Sequence, residues 1–202
     1  MERVTTSPDS PIVEEDLLRA RLYRLLARLL SASPSSADLA LAAAIGDEGS
    51  ELGRAFALLA QLARKTDADS AQREFNSLFA GGGSGEMLPY ASYYMAGRLD
   101  AEPLAFLRVD MSRLGIPERP DAERSPDHIA FLAEMMAGLI EGAYGRPADL
   151  PTQKAFFDAH VGCWAKRFFK DLEQAKSSVL YVGVGRVGRV FMEIEEVAFS
   201  MS

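Results

Sequence analysis

Residues 14–30 read Glu-Glu-Asp-Leu-Leu-Arg-Ala-Arg-Leu-Tyr-Arg-Leu-Leu-Ala-Arg-Leu-Leu, and their spacing decides the fold class. Leu18, Leu22, Leu25, Leu26 and Leu29 recur at helical intervals, and Arg21, Arg24 and Arg28 fall mostly opposite. The same period continues along the chain. Ser36 is placed to cap a short helix over 37–45, and further helices are expected over about 51–65 and 70–79. Another is expected over 103–114, ended by Gly115 and Pro117, and one from Ser125 to near Gly142. A long amphipathic helix starting at Pro151 should carry Phe156, Phe157, His160, Trp164, Phe168 and Phe169. The last should run over about 177–199. No period-two alternation stands out in the first half, so the reading is an all-α, single-domain bundle of about eight to ten helices.

The chain has 202 residues, 48% of them hydrophobic, enough to bury roughly 70% of its unfolded surface in one domain. A formal charge of −7 offers no basic stripe to displace counterions, which argues against a nucleic-acid binder and suits partners carrying arginine or lysine. Cys163 is the single cysteine, so no intrachain disulfide can form. Residues 1–16 lack the apolar run of a signal peptide, and no stretch approaches a membrane span. A cytoplasmic location is expected. Residues 1–13 read as a disordered lead to a domain over 14–202, with a glycine-rich loop or hinge at 81–88.

The chemistry concentrates at Ser125-Pro126-Asp127-His128. Ser125 can cap a helix, Pro126 suits its first position, and Asp127 complements the dipole, so Asp127 and His128 should stand on an exposed first turn. The positive end of the helix disfavours a second charge, so His128 is expected to be neutral. Asp127, Phe131 and Glu134 share one helical stripe flanked by Leu132 and Met135. Two readings stand. An acidic, aromatic and methionine-rich stripe suits a ligand with arginines beside an apolar run. Equally, Phe131, Leu132 and Met135 can be core, leaving Asp127 and Glu134 as solvated charges.

Other motifs are weaker. Gly183-Val-Gly-Arg-Val-Gly188 matches GxGxxG, but only fourteen residues follow, too few for the βαβ unit of a dinucleotide site. His128, His160 and Cys163 are the soft metal ligands, short of a four-ligand structural site. No Gly-x-Ser-x-Gly elbow exists, and no catalytic residue, metal or cofactor is assigned. Two alternatives are kept: a small-molecule enzyme using Asp127 and His128, and a nucleotide-binding protein using 183–188.

The segments Glu74-Phe-Asn-Ser-Leu-Phe-Ala-Gly81, Pro89-Tyr-Ala-Ser-Tyr-Tyr94, Pro126-Asp-His-Ile129 and Glu134-Met-Met136 together resemble the TorD/DmsD family, as do the late Phe157-to-Phe168 aromatic pattern and the acidic end at 191–195. The similarity spans about 17–199. These are cytoplasmic chaperones of exported molybdoenzymes. The resemblance implies an all-helical domain that binds the twin-arginine signal peptide of a catalytic subunit and holds the apoprotein until cofactor insertion and Tat export. It looks most like members that accompany formate dehydrogenases, acting as monomer or homodimer. Asp127, Glu134 and Glu86 are the candidates for the arginines. His128, Phe131, Met135, Pro89, Tyr90, Ser92, Tyr93 and Tyr94 complete the candidate peptide site.

Overall fold

A computed structural model describes residues 12–46, 49–79, 85–118 and 124–201. Among these, ten α-helices form the molecule: α1 (Glu14–Ser31), α2 (Ser36–Ala43), α3 (Glu51–Ala63), α4 (Ala68–Phe79), α5 (Ala91–Ala96), α6 (Glu102–Leu114), α7 (Ile129–Glu141), α8 (Leu150–Phe157), α9 (Ala165–Gln174) and α10 (Leu180–Ser200). The all-α expectation therefore holds. The only β-type pairing among the described residues is an isolated antiparallel bridge between Tyr90 and His128. No described helix is long and apolar enough to cross a membrane.

Helix α7 is the centre. Ten of its residues, from Ile129 to Ile140, are buried, and it packs most extensively against α1. An apolar helix with almost no polar face has to lie inside the bundle. Helix α10 lies against α9 and α3, and the Tyr181 hydroxyl donates to the Leu29 carbonyl at 2.7 Å to join α10 to α1. The face of α1 turned inward is Ala20, Tyr23, Leu26, Ala27, Leu29 and Leu30, rotated from the expected leucine stripe. Leu18 is exposed, and with Leu22 and Leu25 it lines an apolar groove of about 670 Å³ between α1, α3 and α10.

Several boundaries differ from expectation for local reasons. Ser35, not Ser36, caps α2, in a capping box with Asp38. The helix expected from Pro151 to Phe169 is interrupted by a π turn at Asp158–Gly162, after which Trp164 leaves helical geometry. A Cβ on Gly162 would stand 2.6 Å from the Phe157 ring, so this tight turn accepts only glycine without rearrangement. The last helix begins at Leu180 rather than near 177. Helix α5 was not expected. Most of the anticipated lead, and residues 81–84 of the anticipated hinge, lie outside the described residues. Residues 85–88 follow α4, with the Glu86 and Met87 amides donating to the Ser77 and Leu78 carbonyls.

Candidate functional site

The Pro-Asp-His segment is not an exposed first turn. Asp127 is 0% and His128 2% exposed. Ser125 does not cap the helix: His128 does, its Nδ1 accepting from the Ala130 amide at 3.1 Å. Residues 127–129 instead pair with Pro89–Ser92. The Ala91 amide donates to the Asp127 carbonyl, and the Ile129 amide donates to the Pro89 carbonyl. The Ser92 amide donates to Asp127 Oδ2 at 2.9 Å. Asp127 thus caps α5 from another part of the chain, supplying a carboxylate to a helix whose own N-cap, Tyr90, makes no side-chain cap bond.

Among the described residues, Asp127 Oδ1 has no donor, and the buried Ser92 and Ser125 hydroxyls are likewise without partners. An unmet buried acceptor costs about 1–3 kcal/mol. His128 stands between the rings of Tyr90, at 5.1 Å, and Phe131, at 5.8 Å. Burial, assisted by the Arg124 charge, pushes its pKa down to about 3. The imidazole is neutral, as expected, but desolvation is the leading cause rather than the helix dipole. Because Nδ1 accepts, the ring proton is on Nε2.

Two clefts flank this seam, and they divide the remaining candidates. The smaller, of about 60 Å³, is lined by Arg124, Phe131, Glu134, Met135 and Tyr144, with Met111 and Ile116 at its floor. Met135 is only 6% exposed, so it belongs chiefly to the core. The larger, of about 750 Å³, is bordered by Glu86, Tyr93, Tyr94, Arg167 and Asp171. Tyr93 is exposed, whereas Tyr94 is half-buried against Trp164 and Phe168. The Tyr94 hydroxyl donates to Asp171 at 3.1 Å, and the Arg167 guanidinium lies 5.8 Å from its ring centre. Burial and the Asp171 charge both raise the Tyr94 pKa, keeping the hydroxyl protonated. Pro89 and Ser92 are buried behind this wall, and Tyr90 is half-buried.

Glu86 does not present a free carboxylate to arginine. Its oxygens accept the Lys176 amide at 2.6 Å and the Ser177 amide at 3.0 Å, contacts that hold its carboxyl below the usual range. A related role was missed at Glu74. Only 9% exposed, it accepts the amides of Val179 (2.6 Å), Leu180 (3.0 Å) and Tyr181 (2.8 Å), capping the start of α10. The only signal was an acidic residue beside the core Phe75. Arg167 and Asp171 were also missed, because nothing local distinguishes them from ordinary charges on an amphipathic helix.

This geometry removes the basis for the nucleotide alternative. Gly183, Gly185 and Gly188 lie buried within α10, not in a strand-to-helix turn. A Cβ would stand 2.8 Å from Leu59 Cα at Gly183 and 2.8 Å from the Phe169 carbonyl oxygen at Gly185, and would enter the Phe169 ring at Gly188. The glycines allow close helix packing, and the amides at the start of α10, where a phosphate would bind, already hold the Glu74 carboxylate. For the enzyme alternative, Asp127 is engaged with Ser92 and His128 with Ala130, and both are buried. His160 Nε2 lies 2.8 Å from Asp110 Oδ2, while the Cys163 thiol faces Met95 Sδ at 3.7 Å.

A family model described as nitrate reductase delta subunit matches residues 46–170, which include the seam and both walls of the smaller cleft. No curated protein matches the chain. The fold is shared with a crystal structure of a candidate redox enzyme maturation protein from Archaeoglobus fulgidus. The TM-score is 0.58 at 22% identity, covering 95% of this chain and 99% of that one.

Proposed function

Because this chain belongs to the nitrate reductase delta subunit family, we propose that it is a chaperone of redox-enzyme maturation that binds the twin-arginine signal peptide and apoprotein of an exported molybdoenzyme subunit, with formate dehydrogenase the leading client class. The observation that carries this reading is the pair of clefts on either side of one seam. One combines the Glu134 carboxylate with Phe131 and Tyr144, and the other is walled by Tyr93 and Tyr94. A leader offering two guanidinium groups followed by an apolar run needs both kinds of surface: carboxylate for the charges, aromatic faces for the remainder. The protein works in the cytoplasm and performs no chemistry on its client. The likeness to the archaeal maturation protein supports the same reading.

Affinity capture of the full-length protein from its own cells tests it. The expected result is retention of a catalytic subunit whose leader carries adjacent arginines; capture free of any such subunit overturns the proposal. In calorimetry with that leader, Glu134→Gln should weaken binding by about tenfold, the worth of one charge-assisted hydrogen bond at a partly exposed position.

A further inference from the structure

We propose that α5 is a displaceable plug over a cryptic guanidinium site, and that an arginine of the client leader takes the Asp127 carboxylate by replacing the Ser92 amide. This rests on the function proposed above and adds the route by which a buried carboxylate reaches its ligand. The acceptor is half-satisfied: Oδ2 holds one backbone N–H, whereas Oδ1, fully enclosed, has no donor among the described residues. A guanidinium presents two parallel N–H groups in a rigid fork that engages both oxygens at once. The exchange therefore replaces one neutral donor with two charged ones.

The plug is lightly held. Of the six residues of α5, only Ala91 and Ser92 are buried, and neither contributes much apolar area. Its principal helix neighbour is α6. Besides the bridge to 127–129, its side-chain ties to the bundle are Tyr94, stacked near Trp164 and bonded to Asp171, and the weak thiol contact from Cys163 to Met95 Sδ at 3.7 Å. The Ser92 hydroxyl is also buried without a partner, so lifting α5 returns it to water. Tyr93 and Met95, already exposed on α5, would accompany the opening toward the apolar part of the leader.

Amide hydrogen exchange on the wild-type protein tests the plug, with the leader peptide of the captured subunit as probe. In the free protein, the Ala91 and Ser92 amides should exchange through an opening shallower than global unfolding; exchange only by global unfolding overturns the proposal even if no subunit is captured. In the saturated complex, the Ser92 amide should exchange at least tenfold faster, and an unchanged or slower rate overturns the proposal. A second measurement uses the bridge pair. Tyr90 and His128 form the pair without mutual hydrogen bonds, the geometry with Cα atoms about 4.5 Å apart, which a disulfide spans. In a Tyr90→Cys/His128→Cys/Cys163→Ser variant, oxidation should weaken peptide binding at least tenfold relative to the reduced form. Equal affinity in the two forms overturns the plug; if the reduced form does not bind, the exchange rates decide. Failure of capture refutes the client assignment, whereas capture with a rigid α5 refutes only the plug.

Discussion

His128 shows how one buried side chain sets a pH dependence. Its folded pKa is about 3, against an ordinary value of 6.5. Below pH 6.5 the unfolded chain takes up a proton that the folded protein refuses, so folding stability falls as pH drops through the window from 6.5 to about 3. Above 6.5 both states are neutral and the residue contributes no slope. Between pH 6.5 and 5.0 this group alone should remove about 1.5 kcal/mol. Urea denaturation of wild type and His128→Asn at the two pH values should show that difference, since Asn keeps the cap to Ala130 without titrating there. Matching pH slopes would mean the imidazole is ionised in the folded state.

At the scale of elements, the ends of two helices depend on carboxylates that belong to other helices or loops. Helix α10 begins on Glu74 of α4, whose two oxygens accept three amides. Glu74→Ala should cost about 2–3 kcal/mol in chemical denaturation, because charged-acceptor bonds are lost together with the cap. A change below 0.5 kcal/mol, a level typical of surface substitutions, would show that water replaces the carboxylate. The glycines of α10 do a different job. Gly188→Ala drives a Cβ into the Phe169 ring and should cost about 1–3 kcal/mol by overpacking. Gly46→Ala, whose Cβ would meet no atom of the described residues beyond its chain neighbours within 4 Å, should be near neutral in the same assay.

Across the whole molecule, the first and last helices are clasped by a partly buried ion pair. Arg19 Nε and Nη2 donate to Glu195 at 2.7 and 2.9 Å, and the Tyr23 hydroxyl adds a third donor at 2.9 Å. Arg19 also donates to Gln153 of α8 at 3.2 Å, so three helices meet at one guanidinium, whose partner Glu195 is 0% exposed. Glu195→Ala would remove the bidentate partner and leave Asp16, at 2.7 Å, as the remaining carboxylate on the guanidinium, and should destabilise the protein by about 2–3 kcal/mol. Replacing both partners, as Arg19→Met with Glu195→Leu, should restore most of that loss in thermal unfolding. A single variant as stable as wild type would show that Asp16 and solvent satisfy Arg19 once Glu195 is gone.

Helix content, the approximate reach of most helices and the absence of a completed nucleotide motif were legible in the sequence, because apolar period and chain length act locally. Gly142 as the end of α7 was legible for the same reason: a positive φ of 80° there favours glycine. The candidate site was legible only as a set of residues. Phe131, Glu134, Tyr93 and Tyr94 do line clefts, but in two separate ones. The local rules that placed Asp127 on an open first turn failed because a distant segment, 89–92, needed its carboxylate and carbonyl as acceptors. Glu86, Glu74 and the glycines at 183–188 tell the same story. Residue type determined what each could do; which backbone amide, ring or helix it met was decided only when distant parts of the chain packed together, since burial and hydrogen-bond satisfaction belong to the assembled core.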